Sequence, residues 1–241
     1  MYEAVRSQGS ALVHAQVADW LPHHTEGPEL RSLLGSDHAR LRRMTHPPVR
    51  GRFIASRLLL KHLAGAVLAV APQSVELAYS PAGRPYLRGL DQVNISLSHT
   101  DSLMVVGLTR RGLIGVDAEL THRQMLAFGS AERMCTPHEL QQLARIPESD
   151  RNAALVRLWT LKEAYSKAIG QGTRFPFTEF GFGTVGGRIR VRRPDGSPGT
   201  GGEWAFQSRP LADRYTVGVA LFDEGLDEDP DVTVAAMRAR G

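Results

Sequence analysis

The chain has 241 residues, 42% hydrophobic and 22% charged, with a formal net charge of +4. That balance fits a globular protein with a sizeable core and argues against a disordered, fibrous or membrane-spanning chain. The single cysteine, Cys135, excludes an internal disulfide and a multi-cysteine zinc site and reads as a lone buried thiol.

The opening MYEAVRSQGS has no basic segment followed by an apolar run, and no stretch reaches ~18 consecutive apolar residues, which predicts a cytoplasmic protein. ALVHAQVADW (Ala11 to Trp20) alternates as a first strand, and PHHTEGPE is turn material. A basic helical segment follows from Asp37, breaks at Pro47 and Pro48, and resumes as RGRFIASRLLLKHLAG. After the turn SPAGRPYL, the stretch NISLSHTDSLMVVGLTRRGLIGVDAEL reads as three short strands. Thr136, Pro137 and Glu139 in TPHEL occupy the N-cap, first-turn and capping-box positions of a new helix. LWTLKEAYSKAIGQG (Leu158 to Gly172) places Leu158, Leu161, Tyr165, Ala168 and Ile169 on one helical face. Trp159, Glu163 and Lys167 fall on the opposite one. PDGSPGTGGE is a loop lacking the pattern of a P-loop, and the tail from Asp223 is expected to be partly mobile.

RFIASRLLLKHLAG (Arg52 to Gly65) aligns without gaps on RLWTLKEAYSKAIG (Arg157 to Gly170), with Arg57 opposite Lys162, and VVGL (Val105 to Leu108) has a counterpart in TVGVAL (Thr216 to Leu221). The expected fold is therefore α+β, with two pseudo-symmetric lobes, each a long helix packed on a small antiparallel sheet, and an active site at their interface. The lobes are assigned to 1–115 and 116–225, followed by a tail over 226–241.

In IGVDAEL, Asp117 and Glu119 alternate with apolar residues, so both carboxylates leave a strand on one face, ~6.5–7 Å apart. A strand with a wet face would read the same way. With Glu163 the set becomes three hard oxygen donors with no thiol among them, a set suited to Mg²⁺. Of the 29 Lys and Arg residues only three are lysines, Lys61, Lys162 and Lys167. Two of them lie in the LKEAYSK segment, where a compact ammonium approaches a phosphate or a metal cluster more closely than a planar guanidinium does.

GVDAE followed by LWTLKEAYSKAIGQG, with GRP and ISLSHT upstream, resembles the paired signature of the 4′-phosphopantetheinyl transferases, in the longer Sfp-type group. The likeness runs from about Arg40 to Gly172. It implies an enzyme that moves 4′-phosphopantetheine from coenzyme A to a serine of an apo acyl or peptidyl carrier protein, releasing 3′,5′-ADP, with Mg²⁺, or Mn²⁺ in its place, as cofactor. By the same resemblance Asp117, Glu119 and Glu163 bind the metal, and Glu163 and Lys167 are catalytic. Lys167 and His99 hold the pyrophosphate, and Arg40, Arg52, Arg84 and Ser98 contact the 3′-phosphoadenosine end. Arg84 stands where lysine is common and Asp37 where some relatives are basic. The resemblance also implies a monomer, and the KEA form of the motif points to the branch tied to polyketide and nonribosomal peptide metabolism.

Two readings compete: another Mg²⁺-dependent phosphoryl-transfer enzyme, or a nucleic-acid binder using the arginines between Arg40 and Arg57. The second leaves the three carboxylates without a role, and neither nucleic acid nor membrane is expected as a partner.

Overall fold

A computed structural model describes residues 9–223 and 233–237, which divide into two compact units. The first comprises the described residues up to Arg111 together with those from Thr233 to Met237; the second begins at Gly112. The boundary thus lies four residues before the one read from the sequence, and the segment read as a tail supplies a strand to the first unit.

In the first unit, β1 (Ser10–Gln16) pairs antiparallel with a later strand and parallel with Thr233–Ala236. The 3₁₀ turn Ala18–Trp20 ends the alternation early because Trp20 turns into the core, where its indole nitrogen donates to the Met237 carbonyl at 3.0 Å. The segment read as a turn holds the start of a short helix, α1 (Pro28–Leu34), which α2 (Asp37–Leu41) follows. Pro47 and Pro48 do not merely interrupt the basic segment. They form the first turn of α3 (Pro47–Leu68), where a missing N–H leaves no helical bond unmade. The helix stops at Ala69, whose φ of 57° is left-handed.

SPAG is the tip of a small hairpin, β2 (Leu77–Tyr79) and β3 (Pro85–Leu87), and β4 (Asn94–Thr100) and β5 (Leu103–Thr109) follow. The strand order is Thr233–Ala236, β1, β5, β4. Ile54, Leu60 and Leu63 of α3 share one core with Val13 of β1 and Val106 of β5. Burial on all sides explains why α3 lacks a polar stripe.

The second unit is built on β6 (Leu113–Leu120), the helices α4 (Ser130–Met134), α5 (Pro137–Ala144) and α6 (Glu148–Ala168), the hairpin β7 (Gly181–Val185) and β8 (Arg188–Arg192), and the strands β9 (Trp204–Leu211) and β10 (Tyr215–Phe222). The antiparallel sheet runs β6, β10, β9. α6 starts ten residues before the segment singled out in the sequence and lies on that sheet. Leu161, Ala164 and Ala168 pack with Phe182, Trp204 and Phe206, and Tyr165 meets Trp204 at 4.9 Å between ring centroids. The fold class is α+β, and the two long helices are the two aligned segments of the internal repeat.

Candidate functional site

Two glycines set how closely α6 approaches the sheet. A Cβ on Gly115 of β6 would overlap the Ala164 carbonyl oxygen and lie 2.6 Å from the Ala168 nitrogen, and one on Gly218 of β10 would overlap the Thr160 carbonyl. Gly218 is the register partner of Asp117 and Ala220 that of Gly115. Backbone therefore rests on backbone, and because side chains two apart share a strand face, Asp117 leaves β6 on the side occupied by the helix.

On that face the Lys167 ammonium donates to Asp117 Oδ1 at 2.6 Å and to the Val116 carbonyl at 3.2 Å. Asp117 and Glu163 are both buried, so the face is not a wet one. Burial raises the Glu163 carboxyl above the ordinary carboxylate range, and the charge of Asp117 raises it further; Lys167 and Arg123 pull in the other direction. Glu119 accepts the Leu120 amide at 2.9 Å through Oε1 and pairs through Oε2 with the Arg123 guanidinium. Among the described residues no three His, Cys, Asp or Glu side chains are gathered as a ready metal cluster. Asp117 and Glu163 interact electrostatically, while Glu119 is turned to Arg123.

Arg123 was not among the residues expected at the site. It lies in the turn after β6, its carbonyl held by Asn152 of α6 at 2.8 Å, and its guanidinium sits 5.7 Å from the Trp159 ring centre. Trp159 also meets Phe177 edge-on at 5.5 Å. Its cover is thus Arg123 and Phe177. A basic residue four after Glu119 is the available sequence signal, and it acquires meaning only once the chain turns.

Lys162 has a different place from Lys167. It is 0% exposed, pairs with Glu139 at 2.8 Å, and donates to the carbonyls of Phe177, at 2.6 Å, and Phe180. Glu139 closes the capping box with Thr136 and accepts the Phe182 amide at 2.8 Å, so the expected N-terminus of α5 is present and also anchors α6 and β7. Cys135 is buried, which pushes its thiol up to about 12.

The remaining candidates belong to the first unit. The Arg40 guanidinium stacks on Tyr79 at 4.0 Å and lies 3.9 Å from Asp37. Asp37 is buried, accepts the Tyr79 hydroxyl at 2.6 Å and pairs with Arg57 at 3.3 Å, so its departure from a basic residue has a structural partner. Burial is the main reason the Tyr79 hydroxyl is pushed up to about 12. Arg84 is held on β4, donating to Asn94 Oδ1 at 2.6 Å and to the Ile95 carbonyl at 3.4 Å. Ser98 is buried and His99 exposed at the end of β4, and Arg52 is half-buried in the first turns of α3. The arginine run is not one phosphate-tracking face: Arg57 is buried, and Arg50 donates to the Leu41 carbonyl at 3.0 Å.

Residues 113–220 match the 4′-phosphopantetheinyl transferase superfamily. The 4′-phosphopantetheinyl transferase HetI of Nostoc sp. is 32% identical over 148 residues, 60% of this chain and 62% of that one, and a Synechocystis sp. relative is 32% identical over 148 residues, 60% of each chain. The chain thus spans less than two thirds of the length of these relatives. A phosphopantetheinyl transferase of Thraustochytrium sp. is 26% identical over 94% of this chain and 83% of its own. Among solved structures, a holo-[acyl-carrier-protein] synthase of Thermotoga maritima superposes in part, with a TM-score of 0.37 and 22% identity over 47% of this chain and 64% of that one. The chain resembles the 4′-phosphopantetheinyl transferases, as its paired motif implies.

Proposed function

We propose, from this resemblance, that the chain transfers the 4′-phosphopantetheine group of coenzyme A to a serine of an apo acyl or peptidyl carrier protein, with 3′,5′-ADP as the other product. The observation that carries the reading is the trio Asp117, Glu163 and Lys167, two buried carboxylates and one partly exposed ammonium, within the matched segment. Burial and the neighbouring Asp117 keep the Glu163 carboxyl more basic than an ordinary one, a carboxylate pair that favours a hard divalent cation. Asp117 and Glu163, with Glu119 in exchange for its contact with Arg123, would hold Mg²⁺ or Mn²⁺. Bound there, the ion supplies positive charge to the pyrophosphate oxygens.

The chain's own groups account for the remaining steps. The serine oxygen attacks the pantetheine-linked phosphorus as the bond to the 3′,5′-ADP oxygen breaks, and Glu163 takes the serine proton on a carboxylate oxygen, directly or through water. Lys167 offers its ammonium to the charge that develops on phosphate. His99 also holds the pyrophosphate, and Arg40, Arg52, Arg84 and Ser98 contact the 3′-phosphoadenosine end. Arg84 is fixed by Asn94 and Arg40 is spread on Tyr79, which limits the entropy lost on binding. The protein acts as a cytoplasmic monomer, in the branch serving polyketide and nonribosomal peptide carriers.

Mass spectrometry of an apo carrier protein incubated with the chain, coenzyme A and Mg²⁺ tests the proposal. A carrier heavier by one phosphopantetheine group, formed far more slowly with Glu163→Gln, is the expected result, and an unmodified carrier overturns it.

A further inference from the structure

A cavity of ≈ 270 Å³ lies within the second unit, lined by α5, α6, β7, β8 and β9. It is bounded by Leu158 and Leu161, the face of α6 opposite Glu163 and Lys167, so the proposed chemistry does not use it. Its volume approaches the ~300 Å³ of the smallest small-molecule sites and exceeds the ~150 Å³ of an apolar cavity able to hold benzene.

Most of its wall is apolar, with Leu143, Ile146 and Phe182 facing the two leucines. Two polar groups stand out against that wall. The Ser208 hydroxyl is buried and has no hydrogen-bond partner among the described residues. A buried hydroxyl without a partner costs free energy that a ligand acceptor would recover. Arg157 is exposed and enters no ion pair among the described residues. Glu139 also borders the cavity, but both its oxygens already have partners in the Thr136 and Phe182 amides and Lys162, so its charge is matched within the protein.

We infer that this cavity binds a small amphipathic carboxylate, its apolar body between Leu158, Leu161 and Phe182 and its carboxylate met by Arg157 and the Ser208 hydroxyl. An apolar body excludes water from the wall, and a single anionic head matches the single cation. At ~30 Å³ per water-sized group the space takes about nine such groups. A straight chain of octanoate length therefore fits with its head at the rim.

The test is a titration of the full chain with sodium octanoate, followed by backbone amide NMR. Saturable shifts are expected at Gly183 and Ile189, and octanol, with the same tail and no charge, should bind more weakly. Arg157→Gln should weaken octanoate about three- to tenfold and leave octanol unchanged. Ser208→Ala removes only an unpartnered hydroxyl, so it should keep the fold while weakening octanoate. The inference is overturned if octanoate fails to saturate, if the shifts fall instead around Asp117 and Lys167, or if octanoate and octanol bind equally and neither substitution separates them.

Discussion

Lys162 and Glu139 form an ion pair of 2.8 Å with side-chain exposures of 0% and 1%. Lys162 is the neighbour of Glu163 in the chain, yet it leaves α6 toward α5 and β7 and joins the helix to the rest of its unit. The first unit carries the same device. Arg57, aligned with Lys162 in the internal repeat, pairs at 3.3 Å with Asp37, which lies in the first turn of the short helix α2 as Glu139 lies in that of α5. The repeat thus preserves a buried cation on a long helix reaching back to an acid at the start of a preceding one.

Lys162→Met removes one member of a dry pair and leaves the Glu139 charge uncompensated, which costs about 3–5 kcal/mol. Urea unfolding measures it. Lys167→Ala, at a partly exposed site, should change stability far less and abolish transfer. The two substitutions separate the anchoring lysine from the catalytic one.

Gly115→Ala forces the Ala164 carbonyl away from β6, because a methyl group has no room there. The expected loss is about 1–3 kcal/mol or more from overpacking, by the same unfolding measurement. Asp117 and Glu163 separate as the helix lifts, so turnover should fall even where the variant remains folded.

Glu163→Gln tests the raised carboxyl. A folded-state value above the unfolded one contributes stability that is complete below the unfolded value and is lost as pH rises through the folded value. The ionised form is therefore the strained one, and Gln mimics the protonated form. At neutral pH the variant should be more stable than the parent chain, and the difference should vanish as pH falls below the ordinary glutamate range. A pH series of thermal melts checks this, and transfer should drop about 10²–10⁴-fold.

Arg123→Ala takes a positive charge away from Glu119 and Glu163. Removing a cation beside two carboxylates favours the binding of another, so half-saturation by Mg²⁺ should fall severalfold in calorimetric titration. A weaker affinity would place Arg123 on the side of assembling the site instead.

Cys135 should resist alkylation at neutral pH in the folded chain and react only on unfolding, since its thiol is buried and pushed up to about 12. Labelling with iodoacetamide across a denaturant series reads this directly.

Much of the frame was legible from short-range chemistry. The capping box of Thr136 and Glu139 and the strand alternation around Asp117 depend on a few adjacent residues, and the structure places them as their spacing predicts, whereas Pro47 and Pro48 open α3 and Gly65 lies inside it. The pattern misled where burial came from both sides. α3 has no polar stripe, and on the polar face of α6 Glu163 is buried. Arg123 gained its meaning only in the fold, because its partners Glu119 on β6 and Trp159 on α6 lie far apart in the chain.

The sequence by itself determined which residue types were available and where backbone could turn, since dihedral preference, capping and side-chain periodicity act within a few residues. It also placed two lysines in one motif without distinguishing them. Tertiary structure alone decided that Lys162 would be sealed against Glu139 and Lys167 turned to Asp117, because that choice depends on which surfaces lie against each side of α6 once Gly115 and Gly218 let the helix down onto the sheet.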